Sequence, residues 1–298
     1  MQRQILVIAG PTASGKSSRA VEEAQKRNGE IISVDSRQVY RGLDIGTEKI
    51  TKEEMRGIPH HLIDIRDPQE NYSAGDFVTD ATRLIEEISA RGKLPILVGG
   101  THFYFNALLV GLPSRVDANP ALREELEKLQ TEELYTRVKE CDPRRAAELD
   151  PMNRRRLIRA LEIISAKGTV PSRPSLRSGS LFQVKWIVID PPKEELRARI
   201  DVRLAGALER GLVDEVRHVL EAVGDARLNE LGLEYRIINE FLNLETKRPS
   251  ELGRFVSKLL LPTLSAKLWQ YARRQKAWLR KLYDENIISV ESSHPDRN

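Results

Sequence analysis

Residues 4–17 leave this chain few ways to fold. Gln4-Ile-Leu-Val-Ile-Ala9 is a short unbroken apolar run, the pattern of a strand buried on both faces of a parallel sheet. Gly10-Pro-Thr-Ala-Ser-Gly-Lys-Ser17 comes next and fits G-x-x-x-x-G-K-[ST], and Ser17 to Arg27 then reads as a helix. Glycines let backbone N–H groups point into one concavity, and the helix N-terminus adds positive potential. Lys16 supplies a point charge and Ser17 a hydroxyl able to ligate Mg²⁺. Gly10, Pro11, Thr12, Ala13, Ser14, Gly15, Lys16 and Ser17 are therefore expected to cradle phosphates.

Two more apolar runs repeat the theme: Ile31 to Val34, ending at Asp35, and Leu94 to Val98, ending at Gly99-Gly100. Between them Ala74 to Arg91 has helical spacing at Phe77, Ala81, Leu84, Ile85 and Ile88. A further run, Val184 to Ile189, closes on Asp190. Strands alternating with helices predict right-handed crossovers and a parallel sheet. The expected fold is α/β, a P-loop NTPase-like parallel sheet flanked by helices. From about Pro113 to Arg177 no comparable strand occurs, while Pro120 to Glu140 and Met152 to Lys167 read as helices. This stretch is expected to be a helical insertion domain, with the Pro/Ser/Gly-rich Thr169 to Ser180 leading back. The boundaries are then 1–112 for the first part of the core, 113–180 for the insertion and 181–298 for the second part. After Asp190 the pattern is helical: Lys193 to Arg210, Val213 to Ala222, Leu231 to Leu242, Pro249 to Leu260 and Leu264 to Leu282.

Composition narrows the setting. The 298 residues, 40% hydrophobic and 31% charged, suit an ordinary globular protein. The apolar start is too short for a signal-peptide core or a membrane span, so a cytoplasmic protein without a membrane partner is expected. The single cysteine, Cys141, excludes an intramolecular disulfide, and five scattered histidines offer no Cys/His metal cluster. Net charge is only +4, but it is unevenly spread. Asp142 to Ser180 holds nine Arg or Lys, Arg173 and Arg177 among them, against four acids, and Lys267 to Lys281 holds six basic residues and no acid. Both stretches suit a phosphate backbone, and both also suit solvated helix faces.

A P-loop does not say which bond breaks. A kinase or NTPase passes a phosphoryl group onward, whereas the same cradle can grip a diphosphate leaving group while carbon is attacked. Asp35 and Asp190 are the acidic strand ends available for a Walker B role, and neither carries a decisive signature. Further segments separate these readings: Asp35-Ser-Arg-Gln-Val-Tyr40, Leu43-Asp-Ile-Gly-Thr47, Pro59-His-His-Leu-Ile-Asp64 and Val98-Gly-Gly-Thr-His-Phe-Tyr-Phe105. Arg156-Leu-Ile-Arg-Ala-Leu-Glu162, Arg199-Ile-Asp-Val-Arg203 and Tyr271-Ala-Arg-Arg-Gln-Lys-Ala-Trp278 complete the set. With Gly10 to Ser17 at their head and in this order, these pieces make the chain similar to the tRNA dimethylallyltransferase (tRNA isopentenyltransferase) family along nearly its whole length. It departs at Leu231-Gly-Leu233, where the family usually has Leu-Gly-Tyr, and at Lys267-Leu-Trp269, where a Thr-Arg pair is common.

The resemblance implies transfer of a dimethylallyl group from dimethylallyl diphosphate to N6 of adenosine 37 beside the tRNA anticodon, in tRNAs reading codons that begin with U. An exocyclic amine is a weak nucleophile and needs a base. Asp35 is the candidate, its alternative being a cap of the turn after it. The departing diphosphate calls for Lys16, P-loop amides, Mg²⁺ on Ser17 and an arginine. Arg203 is preferred and Arg199 is the second choice, both competing with a reading as ordinary surface arginines. Thr101 can hydrogen-bond the diphosphate or cap a helix. Gln38 has the shape to pair with an adenine edge, and Ser36 and Arg37 to touch neighbouring bases. Phe103, Tyr104, Tyr40 and Tyr72 are available for stacking. Arg123, Arg155, Arg156 and Arg159 on the insertion, and Arg273, Lys276 and Arg280 near the C-terminus, are expected to hold the anticodon stem-loop. A monomer is expected. Transfer to free adenine nucleotides and a small-molecule kinase are the competing functions.

Overall fold

The computed structural model describes residues 3–112, 116–117, 119–172, 182–247 and 253–284. Arg173, Arg177, Pro113 and Pro249, and most of the segment expected to lead back from the insertion, lie outside them. The chain divides into two compact units, Met1–Leu109 with Ser180–Asn298, and Val110–Gly179.

The first unit begins with β1 (Arg3–Ala9), α1 (Lys16–Arg27), β2 (Gly29–Val34), α2 (Lys52–Met55) and β3 (His60–His61). It continues through α3 (Ala74–Ala90), β4 (Leu94–Gly99) and α4 (His102–Leu109). Among the described residues the strands form one parallel sheet in the order β3-β2-β4-β1-β5, where β5 is Phe182–Val188. Central strands have apolar side chains on both faces because both faces are covered. Leu6 and Ile8 of β1 pack with Ala20, Val21 and Ala24 of α1, while Ile5 and Val7, the residues between them, are fully buried on the other face. Full burial of each such side chain contributes about 1.5–3 kcal/mol.

Register matters most at the carboxyl ends. Ala9 pairs with Gly99 and with Val188, and Val34 also pairs with Gly99. The residues just past these strands, Gly10, Asp35 and Gly100-Thr101, therefore emerge on one rim, where ligands of open α/β sheets gather. β3 was not anticipated from sequence. Its two residues are too short to show a period, and it exists by pairing His60 with Ile31 and His61 with Ile32.

The rest of the first unit is helical: α9 (Lys193–Glu209), α10 (Leu212–Leu228), α11 (Leu233–Lys247) and α12 (Gly253–Asp284). α10 runs past the expected end at Ala222 across a break at Gly224, which has φ 73° and ψ 169°. The expected separation of two C-terminal helices around Pro262 is corrected, because α12 continues through that proline. Leu260, Leu264, Leu268, Ala272, Gln275, Leu279 and Leu282 make one buried stripe along it. That burial outweighs the hydrogen bond proline removes.

In the second unit α5 (Pro120–Glu127), α6 (Thr131–Cys141), α7 (Pro143–Glu148) and α8 (Arg154–Lys167) surround a core that includes Leu134, Val138, Leu157 and Ile158. The single run expected from Pro120 to Glu140 is two helices. Arg154 terminates the first, donating to the carbonyl oxygens of Leu126, Glu127 and Leu129. α7 was missed, although Asp142 accepting from Arg145 N ahead of Pro143 is a regular helix start. No helix among the described residues is long and apolar enough to cross a membrane.

Candidate active site

The turn after β1 is built as its glycines demand. Gly15 has φ 87° and Ala13 φ 60°, so successive amides face inward. A Cβ on Gly10 would lie 2.6 Å from Ser14 Oγ and 2.7 Å from the Ile189 carbonyl, so only glycine fits there. The Ser14 hydroxyl oxygen is buried and has no hydrogen-bond partner among the described residues. Lys16 Nζ donates to the Pro11 carbonyl at 3.2 Å. Desolvation lowers its ammonium pKa to about 8, with Asp35 partly offsetting the effect and Arg203 adding to it.

A cavity of about 540 Å³ opens on this loop, lined by Lys16, Ser17, Asp35, Thr101, Arg203 and Tyr271 among others. Asp35 Oδ1 accepts from the backbone of Arg37 at 2.8 Å and of Gln38 at 3.2 Å, which is the turn cap weighed from sequence. The cap uses one oxygen only. Oδ2 makes no hydrogen bond among the described residues, so capping and proton transfer are compatible. Thr101 also lines the cavity, and its hydroxyl caps nothing among the described residues.

Both candidate arginines reach the loop, in different ways. Arg203 donates to the Thr12 hydroxyl and lies 3.6 Å from each of the Glu48 and Glu234 carboxylates. Burial raises the Glu234 carboxyl pKa, and Arg203 offsets only part of that shift. Arg199 donates to the Ser14 carbonyl and pairs with Glu195, so it braces the loop from its backbone side.

Several of the expected contact residues already have partners within the chain. Gln38 is in the cavity wall, but its amide is engaged: Oε1 accepts from Ser33 Oγ at 3.1 Å, and Nε2 donates to the Thr47 and Glu48 carbonyls. Reading a purine edge would require releasing those partners. Thr12 cannot offer its amide to a phosphate while it donates to Gln275 Oε1 at 2.9 Å. Of the four aromatics available for stacking, Tyr40, Tyr72 and Tyr104 are core, and Phe103 alone is exposed, at 46%. Asp190 pairs with Lys276 Nζ at 2.5 Å, and Lys276 also donates to the Pro191 carbonyl, so this lysine is committed within its own unit. On the insertion, Arg123 and Arg159 both hold the buried Glu162 carboxylate, and Arg159 also donates to the Val116 carbonyl. Arg155 and Arg156 on α8, and Arg273 and Arg280 on α12, are exposed.

Gln275 was missed as a site residue. It is 3% exposed, and besides accepting from Thr12 it donates Nε2 to the Gly100 carbonyl at 2.9 Å. One side chain thus ties the P-loop to the turn carrying Thr101. The signal was a glutamine at a buried helical position inside the basic segment Tyr271 to Trp278. Glu48 and Glu234 were missed too, because glutamates on polar stretches look like solvated surface.

Parallel sheet, glycine turn and lysine together define the class: a P-loop α/β protein. Comparison with known proteins narrows it. Residues 38–282 match the family profile described as IPP transferase. A tRNA dimethylallyltransferase of Thermomicrobium roseum is 41% identical over 288 residues, covering 94% of this chain and 84% of that protein. Among solved structures, the full-length tRNA isopentenylpyrophosphate transferase of Bacillus halodurans is 38% identical with a TM-score of 0.67, covering 93% and 87% of the two chains. A eukaryotic dimethylallyltransferase, described as acting on tRNA, is 29% identical with a TM-score of 0.80, covering 95% and 72%. The chain belongs to the IPP transferase family.

Proposed function

We propose that this chain transfers a dimethylallyl group from dimethylallyl diphosphate to N6 of adenosine 37 in tRNAs reading codons that begin with U. The observation that carries the reading is one cavity lined both by cations suited to a leaving diphosphate, Lys16 and Arg203, and by a carboxylate suited to a proton, Asp35. The names of the relatives support tRNA as the acceptor.

In the reaction N6 attacks C1 of the allylic group. The C1–O bond breaks with its electron pair going to the diphosphate, and Asp35 Oδ2 takes the N6 proton. Lys16, Arg203 and the loop amides that remain open stabilise the negative charge growing on the leaving group. The Thr101 hydroxyl and the Arg37 guanidinium are among the wall's polar groups that make no hydrogen bond to other described residues, and they suit the diphosphate and the flanking bases. The donor set suits Mg²⁺: the Ser17 hydroxyl lines the cavity beside Lys16, and a hard cation takes such an oxygen together with substrate oxygens and water. When bound, the ion neutralises diphosphate charge. Arg155, Arg156, Arg273 and Arg280 supply phosphate contacts to the anticodon stem-loop. The same reading has the protein work as a monomer in the cytoplasm.

The test is one incubation with Mg²⁺, labelled dimethylallyl diphosphate, and unmodified tRNA bearing adenosines 36 and 37 in competition with AMP. Label is expected on the tRNA, and Asp35→Asn should slow transfer by about 10² to 10⁴-fold while largely keeping diphosphate binding. Label on AMP, or ATP turnover with the allylic diphosphate ignored, would overturn the reading.

A further inference from the structure

Residues 46–49 form part of the cavity wall, and the turn that leads into them is held from outside the cavity. Glu215 on α10 aims its carboxylate at three consecutive backbone amides. Oε2 accepts from Asp44 N at 2.9 Å and Ile45 N at 2.7 Å, and Oε1 from Gly46 N at 2.9 Å. Oε1 also accepts the Tyr235 hydroxyl at 2.6 Å. Three amides turned to one point make an anion-binding concavity, and here the chain fills it with its own carboxylate. Tyr235 is 1% exposed, and a Cβ on Gly46 would lie 2.8 Å from its ring, so the turn is pressed against α11.

The next residues carry this placement into the site. The carbonyls of Thr47 and Glu48 hold Gln38, while the Glu48 carboxylate lies 2.7 Å from Arg210 and 3.6 Å from Arg203. Arg203 in turn donates to Thr12 of the P-loop. Contacts therefore run without a gap from Glu215 through the 44–46 turn and Glu48 to Arg203 and the loop.

We propose that Glu215 is a positioning residue for the transfer reaction: by holding the 44–46 turn it sets where Glu48 stands, and through Glu48 where the Arg203 guanidinium meets the leaving diphosphate. The proposal rests on the transfer of an allylic group to tRNA. Glutamine in place of Glu215 keeps the shape but offers one acceptor oxygen and turns an NH₂ towards backbone N–H groups, so part of the turn loses its partner. A displacement of about 1 Å at a group acting on the reacting atoms costs about 10²-fold in rate.

The experiment measures kcat and KM for dimethylallyl diphosphate at saturating tRNA in Glu215→Gln, Glu48→Gln and the double variant, with tRNA affinity measured separately. Glu215→Gln is expected to lower kcat/KM by about 10²-fold, with tRNA affinity unchanged. In the Glu48→Gln background the same substitution should have much less effect, since both act along one path. Tyr235→Phe removes a single donor and should shift kcat/KM the same way by about fivefold, which keeps the test open if Glu215→Gln does not fold. Wild-type kinetics in the variant that folds, a parallel loss of tRNA affinity, or full additivity with Glu48→Gln would overturn the proposal. A wild-type protein that moves no allylic group to tRNA would instead sink the transfer reading, and that outcome is seen before any variant is made.

Discussion

Lys16 has two opposing duties. In the proposed reaction the loop presents a cation to a diphosphate, yet the cavity desolvates that cation and holds its pKa near 8, below the ordinary lysine value. Burial thus disfavours the charged form. The resulting stability cost is fully present below pH about 8 and is relieved as pH rises from there towards the ordinary lysine value. A bound diphosphate favours the ammonium and reverses the shift. Affinity for dimethylallyl diphosphate should therefore weaken above pH 8, approaching tenfold per pH unit, with proton uptake on binding. Calorimetry at pH 7 and pH 9 in two buffers of different ionisation enthalpy measures both quantities. Lys16→Arg should flatten the pH dependence, and a flat wild-type profile without proton uptake would contradict the assignment.

Among elements, α12 links regions farthest apart in the sequence. Gln275 is the link, bonding to Thr12 and to Gly100, and a Cβ on Gly100 would sit 2.3 Å from its Nε2. Gln275→Ala leaves two turns of the cavity without their shared brace and the Gly100 carbonyl without its donor. Loss of kcat by about 10-fold or more is expected, with Gln275→Glu no better, because a carboxylate cannot donate to Gly100. Rescue by glutamate would show that only the Thr12 bond matters. α12 also marks the limit of what the sequence makes legible. β1, β2, β4 and β5 announce themselves as apolar runs, so Lys16, Asp35 and Thr101 can be found by reading the few residues beyond each strand end. Gln275, Glu48 and Glu234 reach the cavity from polar stretches whose composition is that of surface, and only tertiary packing separates them from it. Pro262 misled for a related reason: local propensity marks a break where a buried stripe imposes continuity.

For the whole molecule, two compact units carry a net charge of +4 that is concentrated rather than uniform. In the Val110–Gly179 unit much of the basic charge is already internal, with Arg123 and Arg159 on Glu162 and Arg154 on carbonyl oxygens. Arg155 and Arg156 are exposed on α8, and in the proposed function they meet a polyanion. Replacing both with alanine should weaken tRNA binding at all tested sequences and reduce the slope of log affinity against log salt by roughly one for each phosphate no longer neutralised. The rate with saturating tRNA should stay near that of the unaltered protein. An unchanged salt slope would reassign these arginines to solvent.

The pairing of Ala9, Val34 and Gly99 has a consequence for how such a protein can vary. Each strand delivers its reactive neighbour to the rim by residue count alone, so inserting or deleting a single residue within β1, β2 or β4 would move that neighbour by about 3.3 Å and turn it to the opposite side. Divergence in this enzyme can therefore exchange strand residues only for others that fit the same buried space, a Cβ on Gly99 for instance lying 2.1 Å from the Val34 carbonyl, and must confine changes of length to the loops and to the unit beyond Leu109.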